Sequence, residues 1–419
     1  MFSRFALVLF FLTVSPVYAT PPAQIAAAAR ALAERPHAVE EVWREISAGP
    51  LPIVEPHAEN EALSRVTFAI KTRPDTPEVR LDSVVAAPSA REPVADYVRD
   101  FTLPMQRIGE SGIWWLSLDV PREVEAAYSF LVREADGWHR WSDPNNPRHL
   151  RGSAAEAVLR LDRAPDLSPV RPWPERRRIA PDYLDLQSQA LSRRVALQLY
   201  RTPGAGARSP LVVIYDAFLW GVRAPAWEIA ANLAADGRVP PVNIVLVDQL
   251  DPESALHRYD DQVRFLADEL IPFLRENGLS PDARDIVLAG ASRRGLAVAR
   301  AALERPQAFG GVISLSGSFY WSPEGEAAEW LGRTVPPAGP EGPRFHLAAG
   351  RLEYVETTTN GGHVMLDTNR RFRDALVEAG YDAGLHIFPG GHDIAGWRHA
   401  LAEGLVALLG AEQKGDRSN

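Results

Sequence analysis

Three residues of this chain could together cleave an ester: Ser292, Glu353 and His392. Ser292 stands in Gly290-Ala291-Ser292-Arg293-Arg294-Gly295, between the apolar run Asp285–Ala289 and an alanine-rich segment from Leu296. A serine on a tight strand-to-helix turn projects its hydroxyl above a sheet, and small neighbours let the backbone fold that sharply. The N–H of Arg293 would then sit at a helix N-terminus, where an oxyanion can be held. A serine there also suits a helix N-cap, so the turn alone leaves two roles open. The pattern G-x-S-x-G would put glycine at 294; this chain has Arg294, with glycine one place later.

A serine nucleophile needs a base and an orienting acid. His392 follows Pro389-Gly390-Gly391 after the apolar run Leu385–Phe388, and of the ten histidines it alone is placed on a loop after the last strand pattern. His363, beside Gly361-Gly362, is the competitor. The chain order Ser–acid–His puts the acid between them, beyond a strand end. Glu353, after the run Phe345–Gly350, is the first choice, with Glu356 and Asp367 behind it. Asp393 is adjacent to the histidine and is not expected to face its ring.

The elements that must carry these residues form an α/β rhythm. Val195–Tyr200, Leu211–Asp216, Val242–Asp248, Asp285–Ala289, Gly311–Leu315, Phe345–Ala349 and Leu385–Phe388 read as short apolar strands. Helical patterns at Trp227–Asp236, Gln262–Asn277, Leu296–Glu304, Asn369–Ala379 and Trp397–Leu409 separate most of them. Near-continuous apolar strands alternating with helices predict a parallel sheet covered on both faces, here an α/β-hydrolase domain over 171–412. Upstream, Arg65–Lys71, Val79–Val85, Gly112–Leu118 and Ala127–Val132 alternate with period two, which predicts a small β-sandwich over 61–170. Residues 20–60 read as two short helices broken near Pro36, then an extended linker, Gly49–Pro56. Trp138–Pro147 reads as a turn-rich exit from the sandwich.

The first nineteen residues look like a cleavable export signal: Arg4, the apolar run Phe5–Val14, then Val17 and Ala19 at the −3 and −1 positions. Cleavage would leave Thr20 first, in a protein exported to a periplasm. That run is too short to span a bilayer, which takes about 20 residues, and no stable membrane insertion is expected. Complete absence of cysteine rules out thiolate metal sites and cysteine nucleophiles. A net charge of −9 without a long basic run argues against nucleic acid as a partner. The sequence leaves the oligomeric state open.

Further motifs carry a resemblance. They are Asp216-Ala217-Phe218-Leu219-Trp220, Asp268-Glu269-Leu270-Ile271-Pro272, Pro306 to Phe309, Ser316-Gly317-Ser318-Phe319-Tyr320-Trp321, Gly350 to Glu353, and Gly390-Gly391-His392-Asp393 with Trp397. With Trp43, Gly112, Trp114, Tyr128, Phe130 and Asp143 to Pro147 upstream, the chain resembles the enterochelin (enterobactin) esterases, esterase-D-like α/β-hydrolases with an immunoglobulin-like leading domain. The resemblance implies an exported serine esterase acting on a catecholate siderophore in its ferric form, with iron arriving in the substrate and no cofactor. It implies an oxyanion hole from the N–H of Arg293 with that of Ala217 or Phe218. Arg293, Arg294, Trp220 and Trp397 become candidates for substrate contact. Two departures stand out: Arg294 in the elbow, and no match in register for the family's ligand-binding basic residue, near which lie Ala255 and Arg258. A feruloyl or acetyl esterase on polysaccharide is the enzymatic alternative, and a binding protein that has lost catalysis is the other.

Arg293 and Arg294 raise a separate question. Cations in the first turn of a helix are unfavourable by about 0.3–1 kcal/mol each. Either carboxylates pair with them, or an anion binds above the helix.

Overall fold

The computed structural model describes residues 21–89, 102–152, 156–174, 178–248, 259–354 and 365–410. The signal reading falls on residues outside these.

Two helices lead, α1 (Ala23–Glu34) and α2 (Val39–Ile46). Their apolar sides, Ile25, Ala28, Leu32, Val42 and Ile46, are buried with Ala69, Ile113 and Trp115 of the sandwich behind them. The sandwich has two antiparallel sheets. One joins β1 (Ile53–Pro56), β2 (Leu63–Lys71), β6 (Ile113–Pro121) and β5 (Gln106–Arg107) in that order. The other runs β4 (Thr102–Pro104), β3 (Val79–Ser83), β7 (Glu125–Glu134) and β8 (Gly137–Trp141), with β9 (Ala157–Arg160) also on β7. Alternation puts Val66, Phe68 and Ile70 of β2 against Leu81, Tyr128 and Phe130 of the facing sheet.

Two expectations are corrected here. The linker is in part a strand, since Ile53–Pro56 pairs with Ser64–Thr67. The turn-rich exit begins as strand β8 on β7.

The second sheet has eight strands: β10 (Asp182–Ser188), β11 (Arg193–Arg201), β13 (Asn243–Val247), β12 (Leu211–Tyr215), β14 (Ile286–Ala291), β15 (Gly311–Leu315), β16 (Arg344–Gly350) and β17 (Ala383–Phe388), in that spatial order. From β13 to β17 every pairing is parallel; β10 and β11 are antiparallel additions. Period two sorts β12 between layers: Leu211, Val213 and Tyr215 face one core, Val212 and Ile214 the other.

The first layer holds α4 (Tyr259–Arg264), which continues through a π-helical turn into α5 (Ile271–Glu276), then α6 (Arg293–Glu304) and α7 (Met365–Glu378). The second holds α3 (Ala226–Ala235) and α8 (Ile394–Leu409). Ala127, Leu150 and Val158 of the leading half are buried in this second core, so the sandwich docks on the α3/α8 side. The whole is an α/β-hydrolase fold with a leading β-sandwich.

Candidate active site

All three candidate residues follow C-terminal ends of parallel strands. Ser292 closes β14, Glu353 lies on the 3-10 turn after β16, and His392 on the loop after β17. Parallel strands bring those ends to one edge of the sheet, where ligands of open α/β folds bind.

Ser292 has φ 55° and ψ −124°, a strained backbone for a residue with a Cβ. The surroundings hold it there. Its N–H donates to Leu315 O at 2.8 Å, and its carbonyl accepts from Ser318 N at 3.1 Å and Leu296 N at 3.3 Å. Both glycines of the turn are required by close approach. A Cβ on Gly290 would lie 2.6 Å from Arg294 O, and one on Gly295 would lie 2.6 Å from Ser314 Oγ and 3.0 Å from Gly317 Cα. Glycine is thus demanded at 295, and Arg294 is accommodated because Gly290 has no side chain. The Ser292 hydroxyl does not cap α6. It rests 3.4 Å from Ser318 Oγ and forms no hydrogen bond to His392 in this conformation.

The histidine and the acid meet directly, His392 Nδ1 lying 2.6 Å from Glu353 Oε1. The other carboxylate oxygen, Oε2, accepts from Gly350 N at 2.7 Å and Ser316 Oγ at 2.9 Å. Ser316 in turn accepts the indole N–H of Trp397 at 2.9 Å, and the Trp397 ring stands edge-on to the imidazole, 4.8 Å between centroids. Glu353 is 6% exposed. Three donors around a buried carboxylate hold it in one direction. Of the other acid candidates, Asp367 is half exposed and pairs with Arg370 at 2.9 Å. Glu356 lies outside the described residues, as do His363, Ala255 and Arg258. Asp393 turns away from the ring to cap α8, accepting Gly396 N at 3.0 Å.

Arg293 opens α6, so its N–H has no carbonyl one helical turn back. Ala217 and Phe218 follow β12, the strand beside β14. Asp216 has φ 77° and accepts Leu219 N at 3.0 Å, which turns the chain sharply at that point.

The expected substrate contacts need correction. Trp220 is 1% exposed, inside the second core, and the exposed aromatic of its segment is Phe218 at 53%. Trp397 is buried too, where it braces Ser316 and His392. Arg294 is half-buried; its guanidinium reaches Gln262 Oε1 at 3.2 Å and lies 5.2 Å from the centre of the Tyr215 ring. Arg293 is exposed and has no ion pair among the described residues. It stands near Tyr259, whose hydroxyl is pushed up to about 12 by burial, against the lowering effect of Arg293 and Arg294.

Ser316 and Ser318 are the residues sequence reasoning missed. Their motif was visible, but Ser-Gly-Ser reads as a turn, and nothing in it indicates that one hydroxyl meets the acid and the other the nucleophile. Among the described residues, one cluster has metal-ligand spacing: Glu134, Asp136 and His139 on the β7–β8 hairpin. It involves none of the three candidate residues.

Comparison with known proteins identifies the family. The family model described as "Putative esterase" matches residues 188–408, more than half of the chain. The iron(III) enterobactin esterase of Escherichia coli (strain K12) is 27% identical over 334 residues, covering 73% of this chain and 81% of that protein. The iron(III) salmochelin esterase of Escherichia coli O6:H1 is 27% identical over 412 residues, covering 88% and 93%. The iron(III) enterobactin esterase of Dickeya dadantii is 26% identical over 428 residues, covering 93% and 97%. The crystal structure of the Shigella flexneri enterobactin esterase in the presence of enterobactin superposes with TM-score 0.71 at 23% identity, over 88% of this chain and 97% of that one. The chain therefore belongs to the esterase family, within its enterochelin esterase branch, and is a carboxylic ester hydrolase.

Proposed function

We propose that this esterase hydrolyses the ester bonds of a ferric catecholate siderophore, with Ser292 as nucleophile, His392 as base and Glu353 as the acid that orients it. The observation that carries the reading is the 2.6 Å contact of Glu353 with His392 Nδ1, because it leaves Nε2 as the ring's basic nitrogen. The substrate class rests on the activities named for the enterobactin and salmochelin esterases above.

The hydroxyl of Ser292 first turns from Ser318 toward Nε2. Its Oγ attacks the ester carbonyl carbon while Nε2 takes the proton. The N–H groups of Arg293 and of Ala217 or Phe218 receive the oxyanion, each such donor contributing roughly 100- to 1,000-fold in rate. The tetrahedral adduct collapses, the C–O bond to the leaving alkoxide breaks, and His392 returns the proton to that oxygen. Water then attacks the acyl-serine by the same route, releasing the carboxylic acid and restoring Ser292. Exposed Phe218 offers an aryl face beside this site, and exposed Arg293 a cation for an anionic substrate.

The test is hydrolysis of ferric enterobactin and of feruloylated sugars by the full chain and by Ser292→Ala and His392→Ala. Turnover of the ferric catecholate, abolished in both variants and scarcely worse in the double variant, is expected because the two residues act as a unit. Preference for the feruloylated sugar would move the substrate class, and binding without turnover would mean catalysis has been lost.

Residues 1–19 we read as an export signal that places the mature protein in a periplasm. Intact mass of protein from its native host, beginning at Thr20, checks this; a chain retaining Met1 or Phe2 overturns it.

A further inference from the structure

The acid and the histidine each stand beside residues that rest on the leading sandwich. Leu352, next to Glu353, is 5% exposed and belongs to the sandwich core that contains Val84 and Tyr128. Asp393, next to His392, accepts the N–H of Ala127 in β7 through Oδ2 at 2.9 Å. Gly391, on the other side of His392, lies so close to the sandwich that a Cβ there would meet Val84 Cβ at 2.6 Å. The Ser292 elbow, by contrast, is braced by Leu315 and Ser318 of its own domain.

The contact at Ala127 has a cause in the sheet. The β3–β7 ladder ends at Ser83 opposite Tyr128, so β7 runs on past its neighbour. The backbone groups of Ala127 on that side have no strand to pair with. Its carbonyl takes the Ser83 hydroxyl at 2.7 Å, and its N–H takes Asp393. A buried N–H left without a partner would cost about 1–3 kcal/mol. The loop carrying the histidine thus completes the edge of a strand in the other domain.

We propose that the leading sandwich is a positioning element of the active site: through Asp393–Ala127 and Gly391–Val84 it sets where the His392 imidazole stands. This rests on His392 and Glu353 being base and acid. Asp393 has two jobs, since its Oδ1 caps α8, and the two can be separated. Serine caps a helix as well as aspartate but has one oxygen on a shorter side chain.

In Asp393→Ser the cap is kept and the tie to Ala127 is lost. The expected result is a fall in kcat of roughly 100-fold, the scale of a small misplacement of a catalytic group, with KM nearly unchanged. A low-field proton resonance from His392 Nδ1–H is the expected signature in the parent, and it should broaden or vanish in the variant. A second pair of variants needs no change at Asp393. Gly391→Ala should press the loop off Val84 and lower kcat, and adding Val84→Gly should restore it by removing the opposing atoms. Parental kcat and an intact resonance in Asp393→Ser would overturn the proposal. So would a loss carried by KM, or the absence of rescue by Val84→Gly. Should Asp393→Ser fail to fold, the Gly391–Val84 pair decides alone. An active His392→Ala would sink the base assignment, whereas an inactive His392→Ala beside a fully active Asp393→Ser would sink the positioning role alone.

Discussion

The hydroxyl of Ser316 donates to Glu353 Oε2 at 2.9 Å while accepting the Trp397 indole N–H at the same distance. One small side chain therefore joins the proposed acid to the first turns of α8. Ser316 is itself fully buried. Ser316→Ala would leave the Trp397 N–H and one carboxylate lone pair unpartnered, a loss of roughly 1–3 kcal/mol for each buried group. A lower Tm with reduced kcat and little change in KM is expected. Thermal unfolding and steady-state kinetics check it, and a variant as stable as the parent would show that the hydroxyl holds nothing.

Glu353→Gln should be more harmful than its shape suggests. Oε2 faces two donors, the Gly350 N–H and the Ser316 hydroxyl, and the backbone one cannot rotate. The amide oxygen must take that place, which points the NH₂ at His392 Nδ1. The imidazole is then driven into the tautomer with its proton on Nε2, where it cannot serve as base. A loss in kcat of roughly 1,000- to 10,000-fold is expected, smaller than for Ser292→Ala. Near-parental turnover would hand the acid role to another carboxylate, such as Glu356.

Arg293, exposed beside the elbow and without an ion pair among the described residues, is the cation available to an anionic substrate on a chain of net charge −9. Arg293→Gln should lower kcat/KM for a ferric catecholate far more than for a neutral aryl ester. Added salt should narrow the gap, since exposed charges are screened within about 10 Å at 0.1 M. Equal losses on both esters would mean that Arg293 serves the elbow and reads no charge.

Glu125 of β7 is expected to contribute to the acid response of the fold. Burial alone would raise its carboxyl, but the hydrogen bond with His399 and the Arg398 guanidinium outweigh burial and hold it down at about 2. Both partners lie on α8, so the ion pair spans the two domains. A depressed carboxylate stabilises the fold above its unfolded value of 4.5, and that contribution fades as pH falls from 4.5 toward 2. It amounts to roughly 3 kcal/mol. Unfolding followed from pH 7 to pH 3 should show the parent losing more stability than Glu125→Gln. Parallel curves would remove Glu125 from the acid response.

Ser292, Glu353 and His392 could be picked out as candidates because chain order and strand ends restrict where a reacting residue can stand, and the structure brings Glu353 and His392 into contact. The apolar strands of the parallel sheet were legible because burial on both faces leaves an unbroken hydrophobic run. Strands half in water left weaker marks: β10 sets half-buried Leu184 and Leu186 between exposed Tyr183, Asp185 and Gln187, and β8 is half-buried throughout. Trp220 and Trp397 misled because an aromatic beside a motif packs inward as readily as it meets a ligand. The partnership of Asp393 with Ala127 had no signature at all, since its donor is a backbone N–H that any residue but proline would supply.

The stretch matched by the family model begins at Ser188, and it would be natural to trim the gene there for expression or engineering. A protein so trimmed would keep the serine elbow, the acid and the histidine loop in full. It would also strip Val84 from Gly391 and Ala127 from Asp393, and turn the apolar side of Leu352 out to water. The sandwich is therefore a poor candidate for modular exchange. A chimera fitted with a foreign leading domain would have to reproduce the few atoms beneath the histidine loop before any question of new specificity arose.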